Sequence, residues 1–236
     1  MRTKSTTTDL VSDADDDAEE LIVRRIRGAR PDDAVVAEEG SVGGSGASGI
    51  RWLVDPLDGT INFLYGIPHW SVSVACADAD GVVAGVVYDP LRDELFRAER
   101  GGGAWLGGRR LAVTSLSDLA LALVATGFSY AADERSAQAA FYAGVAGSVR
   151  DVRRAGSAAL DLTYVAASRL DAYFELIRSP WDSAAGSLLV REAGGMVAEI
   201  AEPTRAGGPN LVASGPGIHA ALCALVGVQS RENSID

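Results

Sequence analysis

The feature that most constrains this chain is a turn rich in oxygen ligands at the end of a short apolar segment. Residues 52–54 (WLV) have the composition of a β-strand, and Pro56 cannot donate a hydrogen bond to a central ladder. We therefore predict that the strand ends at Asp55. Asp58, a glycine and Thr60 follow directly. Two carboxylates, exposed carbonyls and a hydroxyl predict a site for a hard cation such as Mg²⁺, and the alternative is a turn with solvated acids.

Further acidic positions follow other predicted elements and support a shared cation site. The apolar segment 34–37 (AVVA) ends in Glu38 and Glu39. Farther along the chain, Asp182 follows Trp181 in the predicted first turn of a helix. A divalent cation takes several oxygen ligands, so acids from separate element ends are what such a site needs.

Three motifs of the chain resemble the signatures of the inositol monophosphatase family. They are Glu38-Glu39, residues 55–60 (DPLDGT) and residues 181–186 (WDSAAG), in the order and spacing typical of that family. The resemblance runs from about Lys4 to the end of the chain. It covers almost the whole sequence, and the three motifs occur together.

The resemblance implies an α/β fold of the α+β layered type, an α/β/α/β/α sandwich that forms one compact unit. The metal motifs and an antiparallel sheet are expected in residues 1–120, and the substrate-contacting residues in an α/β half, residues 121–236. Family members normally carry a further helix before the segment that matches Lys4, so this chain is expected to lack that first helix. Three explanations are open: the recorded start of the chain is late, the predicted helix over residues 12–27 exposes part of its apolar face, or another chain covers that face. Relatives are commonly homodimers, and the resemblance implies a homodimer here.

The resemblance also implies Mg²⁺-dependent, lithium-sensitive hydrolysis of a phosphate monoester. Two close Mg²⁺ ions would activate a water molecule and stabilise the leaving oxygen. A third, weaker Mg²⁺ near Glu38 belongs to the same scheme, so two to three ions are expected. The positions that match the family's metal ligands are Glu38, Asp55, Leu57 through its carbonyl, Asp58 and Asp182.

Thr60 and Asp15 match a hydrogen-bonded pair that orients the attacking water in the family. With Glu38 and Asp55 they form the predicted catalytic set. Thr60 has a simpler alternative role as the N-cap of a following helix, and the two roles are compatible.

Substrate contacts are expected from both halves of the chain. The amides of residues 59–60 can donate to phosphate oxygens, because glycine permits close approach. Glu175 would accept hydrogen bonds from substrate hydroxyls. Lys4 and Asp9 match a mobile loop that covers the site in relatives, and Arg178 is a candidate for a substrate or dimer contact. The predicted substrate-binding set is Asp58, Gly59, Thr60, Gly156, Ser157, Ala158, Glu175 and Asp182.

Charge and hydropathy restrict the partners of the chain. Its 236 residues carry a formal net charge of −11, which argues against direct nucleic-acid binding because that needs a basic surface. An acidic protein that handles a phosphate ester must bring in positive charge, and metal ions would do so. No apolar run approaches a membrane span and no secretory signal is visible, so no membrane partner and a cytoplasmic localisation are expected.

Local patterns predict the order of the elements. Ser12 is expected to cap a helix that ends at Gly28, with Asp15 as its partner in a capping box. The predicted buried face of this helix is Ala14, Ala18, Leu21, Ile22 and Ile26. Predicted strands lie at 71–77, 82–88, 94–100 and around Trp105, then at 121–125, 170–176, 196–200 and 211–214. Predicted helices lie at 131–149, from 156, at 181–193 and at 218–226, around a mixed, largely parallel second sheet.

The leading functional hypothesis is a phosphatase acting on a small polyol monophosphate, most simply inositol 1-phosphate. Relatives with the same metal motifs hydrolyse histidinol phosphate, fructose 1,6-bisphosphate, NADP or 3′-phosphoadenosine 5′-phosphate, so these substrates stay open. A hypothesis of another class is a non-catalytic binding partner in ribosomal RNA transcription. A degenerate dimerisation module would predict a broken set of metal residues, and the sequence shows no break.

Overall fold

The computed structural model describes residues 2–3, 10–40, 42–200, 203 and 206–228, and within them six α-helices. Two larger sheets and one short strand pair, β1 (Arg2–Thr3) with β2 (Leu10–Val11), accompany the helices. None of the described helices combines the length and the apolar character needed to cross a membrane. The helices are α1 (Asp13–Ala29), α2 (Thr60–Leu64), α3 (Ala132–Ala146), α4 (Ala158–Ala166), α5 (Pro180–Glu192) and α6 (Pro216–Val226).

The first large sheet has eight strands and contains the predicted meander. Its strands are β3 (Ala34–Ala37), β4 (Val42–Gly43), β5 (Arg51–Asp58), β6 (Ser71–Asp78), β7 (Gly81–Asp89), β8 (Glu94–Glu99), β9 (Gly103–Leu106) and β10 (Arg109–Arg110). Their order is β10-β9-β8-β7-β6-β5-β3-β4. Strands β5 to β10 pair antiparallel in succession, which confirms the meander, whereas β3 and β5 pair parallel.

The second large sheet has five strands and is mixed, as predicted. Its strands are β11 (Leu123–Thr126), β12 (Asp151–Arg153), β13 (Ala172–Glu175), β14 (Met196–Glu199) and β15 (Leu211–Ser214), in the order β12-β11-β13-β15-β14. The expectation of a largely parallel sheet is wrong, because β15 inserts between β13 and β14 and runs antiparallel to both. Only the pairs of β11 with β12 and β13 are parallel. The edge strand β12 escaped prediction because it is short and two of its three residues are charged.

The elements stack in five layers, which confirms the predicted layered α/β fold. Helix α1 packs on the outer face of the eight-stranded sheet, where Val23 contacts Val54 and its neighbours. Helices α4 and α5 fill the space between the two sheets, with Leu162 and Leu189 in the main core. Helices α3 and α6 cover the outer face of the five-stranded sheet. Their apolar residues there form a second core around the fully buried Phe174.

Helix α1 begins as predicted but buries a different face. Ser12 is its N-cap and Asp15 completes a capping box, while the helix ends at Ala29, one residue later than expected. The predicted face is offset, because Leu21 is 44% exposed and Ala14, Ala18 and Ile22 are only partly buried. The buried residues are Asp15, Glu19, Val23 and Ile26. Apolar periodicity missed this face because two of its members are acids that find hydrogen-bond partners inside the protein.

Strand β5 does not end at Asp55, so that prediction is wrong. It continues to Asp58, and its pairing with β6 shifts register between these two aspartates. Its pairing with β3 has already ended at Val54. Pro56 therefore lies in an irregular stretch of the ladder, the kind of place where a strand tolerates a residue without an N–H.

Candidate active site

One cavity of about 480 Å³ gathers almost all the residues that the sequence singled out. It lies at the ends of β3, β5, β11 and β13, beside the N-termini of α4 and α5. Asp15 is not in its wall but contacts Thr60, which is. Lys4 and Asp9 lie outside the described residues. The predicted residues that line the cavity are Glu38, Asp55, Leu57, Asp58, Gly59, Thr60, Gly156, Ser157, Ala158, Glu175 and Asp182.

Asp55 lies deepest in the acidic part of the cavity. Its side chain is 2% exposed, and one carboxylate oxygen accepts a hydrogen bond from the Leu57 amide at 3.0 Å. Burial raises the pKa of Asp55 well above its ordinary value, and the charges of Glu38, Asp58 and Asp182 raise it further. A side-chain hydrogen bond with Glu38 makes a smaller contribution in the same direction. These four acids therefore form one electrostatic group.

Asp58 connects the end of β5 to the N-terminus of α4. Its carboxylate accepts hydrogen bonds from the hydroxyl of Ser157, from the Ala159 amide at 2.8 Å and from the Ala158 amide at 3.2 Å. A helix N-terminus stabilises such a negative charge. Burial still raises the pKa of Asp58 to about 6, although the hydrogen bonds oppose that shift.

Asp182 enters the same cavity from the first turn of α5. Burial raises the pKa of Asp182 well above its ordinary value, and Glu38 and Asp58 add to the shift. The close approach of α5 to α4 depends on Gly186, because a Cβ at that position would lie 2.5 Å from the Cβ of Leu162. The glycine of the 181–186 motif thus has a packing role that helps to bring Asp182 to the cavity.

The donor chemistry of this cavity fits a hard divalent cation. Carboxylates and a backbone carbonyl are the ligands that Mg²⁺ prefers, and mutual repulsion already raises the pKa values of three of the acids. Among the residues that the structure describes, no three acidic, histidine or cysteine side chains already form a metal-binding group.

Thr60 and Asp15 form the predicted contact. The Thr60 hydroxyl lies 2.9 Å from one Asp15 oxygen and 3.1 Å from the Leu57 carbonyl, and it can donate its single proton to either. The other Asp15 oxygen accepts hydrogen bonds from both the amide and the hydroxyl of Ser12. The capping box of α1 therefore also fixes the carboxylate that faces Thr60.

The backbone around Gly59 is tightly enclosed. Gly59 has φ +99°, and a Cβ there would lie 3.2 Å from the carbonyl oxygens of Gly156 and His69. Asn62, which sequence reasoning missed, donates from its side-chain amide to the carbonyls of His69 at 2.7 Å and Ala155 at 2.8 Å. It thereby fixes the short helix α2 against the loop that precedes α4.

Glu175 lies in the cavity wall at the end of β13. Its carboxylate accepts a hydrogen bond from the Tyr173 hydroxyl at 2.5 Å, and burial raises the pKa of Glu175 to about 7. It passes directly over Gly127, where a Cβ would lie 2.0 Å from the carboxylate atoms. Gly127 has no sequence signal of its own, because it meets Glu175 through the pairing of β11 with β13, whereas Tyr173 contacts Glu175 within one strand.

The family model of the inositol monophosphatase family matches residues 1–230. The chain belongs to the inositol monophosphatase family. It is 42% identical over 229 residues to "Nus factor SuhB" of Vibrio cholerae, with 93% of this chain and 84% of that protein covered.

Solved structures of this family have the same fold as the chain. The extragenic suppressor protein suhB of Bartonella henselae is 39% identical with a TM-score of 0.87, over 95% of this chain and 87% of that one. The Staphylococcus aureus protein SaIMPase-II with bound inositol monophosphate is 28% identical with a TM-score of 0.74, over 91% and 83% of the two chains. Membership of the inositol monophosphatase family implies a phosphatase, and the family is generally metal-dependent.

Further charged residues of the cavity lie outside the three motifs that resemble those of the inositol monophosphatase family. Arg178, predicted as a substrate or dimer contact, lies in the cavity wall and donates to Glu134 at 2.5 Å. Arg154 and Asp161 line the same part of the cavity. Asp161 lies one turn after Ser157 on α4, and that spacing is the one local signal that could have found it.

Proposed function

We propose that this protein is a Mg²⁺-dependent, lithium-sensitive phosphatase that hydrolyses a small polyol phosphate monoester, most simply inositol 1-phosphate. One observation supports this best: four mutually repelling carboxylates and the Thr60–Asp15 pair meet at one cavity. In this proposal residues 1–120 supply most of the metal ligands, and residues 121–236 supply most contacts to the alcohol.

The metal ligands of the proposal follow from the acids around Asp55. Glu38, Asp55 and the Leu57 carbonyl would hold one Mg²⁺, Asp55 with Asp58 and Asp182 a second, and Glu38 a third, weaker one. When bound, these ions supply positive charge for the phosphate, a more acidic water and a stabilised leaving oxygen. The same carboxylates repel a phosphate ester in the absence of cations, because like charges share a cavity of low polarity.

The chain's own groups orient the reactants. Thr60 donates its proton to Asp15, so a lone pair of its hydroxyl oxygen can accept a hydrogen bond from the attacking water. The amides of residues 59–60 would donate to phosphate oxygens, and the glycine leaves room for that approach. Glu175 has one carboxylate oxygen on Tyr173 and a second that can accept a hydrogen bond from a substrate hydroxyl.

Inositol 1-phosphate is the first candidate because a solved structure of SaIMPase-II, to which this chain is similar, contains bound inositol monophosphate. Glu175 and residues 156–158 line the cavity where an alcohol would lie. Histidinol phosphate, fructose 1,6-bisphosphate, NADP and 3′-phosphoadenosine 5′-phosphate are alternatives within the same chemistry. A homodimer is part of the proposal, and light scattering would test it.

Phosphate release with and without Mg²⁺ tests the proposal directly. The substrates would be inositol 1-phosphate, histidinol phosphate, fructose 1,6-bisphosphate, NADP and adenosine 3′,5′-bisphosphate. Asp55→Asn should lose activity and the Mg²⁺-induced rise in Tm, because it removes the acid that bridges the proposed ions. Asp80→Asn, an equivalent change of an exposed acid in the turn between β6 and β7, should keep both. Well-folded protein that releases no phosphate from any of these esters would overturn the proposal.

A second candidate function is a binding role in transcription. Its support is the name "Nus factor SuhB" that relatives 42–46% identical to this chain carry. Such a role would not need turnover, so Asp55→Asn should retain it. Ribosomal RNA transcription reconstituted from purified components, with wild-type protein or Asp55→Asn, would separate the two functions. The intact set of acids argues against a purely non-catalytic dimerisation module.

A further inference from the structure

Asp161 is a buried acid that the proposed mechanism does not use. It lies in the first turn of α4, is 2% exposed and lines the cavity. Within the part of the chain that the structure describes, its carboxylate has no hydrogen bond and no ion pair. Buried carboxylates in proteins are normally paired or hydrogen-bonded, so this one needs a physical reason.

Capping of α4 does not supply that reason. The amides of residues 158–159 donate to Asp58, and the Leu160 amide donates to the Ser157 hydroxyl at 3.3 Å. The amide of Asp161 itself donates to the Ser157 carbonyl at 3.0 Å. The free amides of the first turn are thus already satisfied, and the Asp161 carboxylate is not required to bind any of them.

The neighbours of Asp161 do not stabilise it either. Burial raises its pKa well above the ordinary value, the charges of Glu175 and Asp58 raise it further, and only Arg154 opposes the shift. Arg154 is exposed and lines the cavity, with no hydrogen bond or ion pair to the described residues. Arg178, by contrast, is already paired with a glutamate. Near Glu175 the cavity therefore contains an acid and a guanidinium that each have no hydrogen bond or ion pair to the described residues.

We propose that Asp161 is a specificity-determining residue, whose carboxylate accepts a hydrogen bond from a hydroxyl of the leaving alcohol other than the one bound by Glu175. The inference rests on the proposed phosphatase function and narrows its substrate class. Arg154 would donate to an oxygen of the same alcohol. An uncharged alcohol with at least two free hydroxyls fits this set. A second phosphate on the leaving group would bring further negative charge beside the carboxyl groups of Asp161 and Glu175.

The test compares a substrate whose leaving group has free hydroxyls with one whose leaving group has none. Asp161→Ala and Asp161→Asn would be compared on inositol 1-phosphate and on p-nitrophenyl phosphate, whose leaving group has no free hydroxyl. Loss of the hydrogen bond to this buried carboxyl group, which leaves the substrate hydroxyl unpaired, predicts a fall of about 10- to 100-fold in kcat/KM for inositol 1-phosphate with Asp161→Ala, mainly through KM. The value for p-nitrophenyl phosphate should change less than about twofold, since that substrate cannot make this hydrogen bond. Asp161→Asn keeps one acceptor oxygen and should lose less.

Stability provides an independent readout. Because no bond to the protein is lost, both Asp161 variants should keep or raise the Tm of the wild type. Asp133→Asn is a matched control, since Asp133 is an exposed acid in the first turn of α3. It should leave both substrates and the Tm unchanged. A lower Tm with equal losses on both substrates would show that Asp161 is structural and would overturn the inference.

The remaining outcomes separate this inference from the proposed function. Unchanged kinetics on inositol 1-phosphate in Asp161→Ala would overturn the inference and leave the phosphatase intact. If the wild type cleaves p-nitrophenyl phosphate but not inositol 1-phosphate, the inference is overturned while the phosphatase activity stands. Cleavage of neither ester, nor of any other ester in the phosphate-release assay above, would overturn the proposed function. In that case the role of Asp161 would be tested by calorimetry of inositol 1-phosphate binding in the presence of Mg²⁺. Equal binding by the wild type and Asp161→Ala, or no binding by either, would refute that role.

Discussion

The acid cluster predicts that Mg²⁺ stabilises this protein more strongly as the pH rises. The pKa of Asp58 is raised from 3.8 to about 6 in the folded protein, and those of Asp55 and Asp182 are raised in the same direction. For an acid with a raised pKa, its stabilising contribution is complete below the unfolded pKa. It is lost as the pH rises through the folded value. For Asp58 that loss corresponds to about 3 kcal/mol at neutral pH, at about 1.4 kcal/mol per unit.

Mg²⁺ shifts the protonation equilibrium of these acids toward the ionised form, because it binds the ionised carboxylates. At pH 5 only about one tenth of Asp58 is ionised in the folded, metal-free protein, if its pKa is about 6. The affinity for Mg²⁺ at pH 5 should therefore be at least about tenfold lower than at pH 8, or about 1.4 kcal/mol. Asp55 and Asp182 increase this difference. For a chain of this length the difference corresponds to at least about 3–6 °C in Tm.

The measurement is the Tm at pH 5 and pH 8, each with EDTA and with saturating Mg²⁺. The Mg²⁺-induced increment, and not the Tm itself, is the informative quantity. Burial lowers the pKa values of His69 and His219, which makes stability rise with pH, but this contribution is common to both metal conditions. Asp80→Asn should reproduce the wild type and Asp55→Asn should show little increment at either pH. An increment that is equal at both pH values, or larger at pH 5, would refute the reasoning.

Two further predictions concern residues that orient the reactants. Thr60→Val removes the hydroxyl that contacts Asp15 but keeps the shape of the side chain. It should lower kcat by about 100-fold or more while the Mg²⁺-induced rise in Tm persists, and a loss of that rise would assign Thr60 to metal binding instead. Gly127→Ala places a methyl group where the Glu175 carboxylate lies. It should raise KM for inositol 1-phosphate about tenfold or more, with kcat/KM for p-nitrophenyl phosphate nearly unchanged, because a charge-assisted hydrogen bond to the alcohol is lost. Equal effects on the two substrates would contradict that role of Glu175.

The sequence predicted the acidic side of the cavity well because its residues are fixed by local chain geometry. Asp55 and Asp58 lie three residues apart at the end of β5, and Asp182 lies in the first turn of α5. Each position could therefore be read from the nearest element end without knowledge of the sheet order. The predicted end of β5 at Asp55 is wrong, because a register shift in the pairing of β5 with β6 accommodates Pro56.

Other features could not be predicted because they depend on long-range packing. The mixed character of the second sheet results from the insertion of β15 between β13 and β14, and no local pattern specifies that order. The buried face of α1 includes Asp15 and Glu19, which are acceptable in the interior only because distant residues donate to them. Gly127 lies against the Glu175 carboxylate only because β11 pairs with β13.

The acids in and beside the cavity differ in the hydrogen bonds that their carboxylates accept, and this difference bears on substrate choice. Asp15, Asp55 and Asp58 each accept hydrogen bonds from the backbone or from a capping serine, so their positions are coupled to α1, β5 and α4. The carboxylate of Asp161 has no such bond among the described residues. A change at Asp58 would therefore disturb the fold and the proposed metal site together. A change at Asp161 should alter only what the cavity accepts, and this independence is a physical reason why one set of metal motifs can serve different phosphate esters.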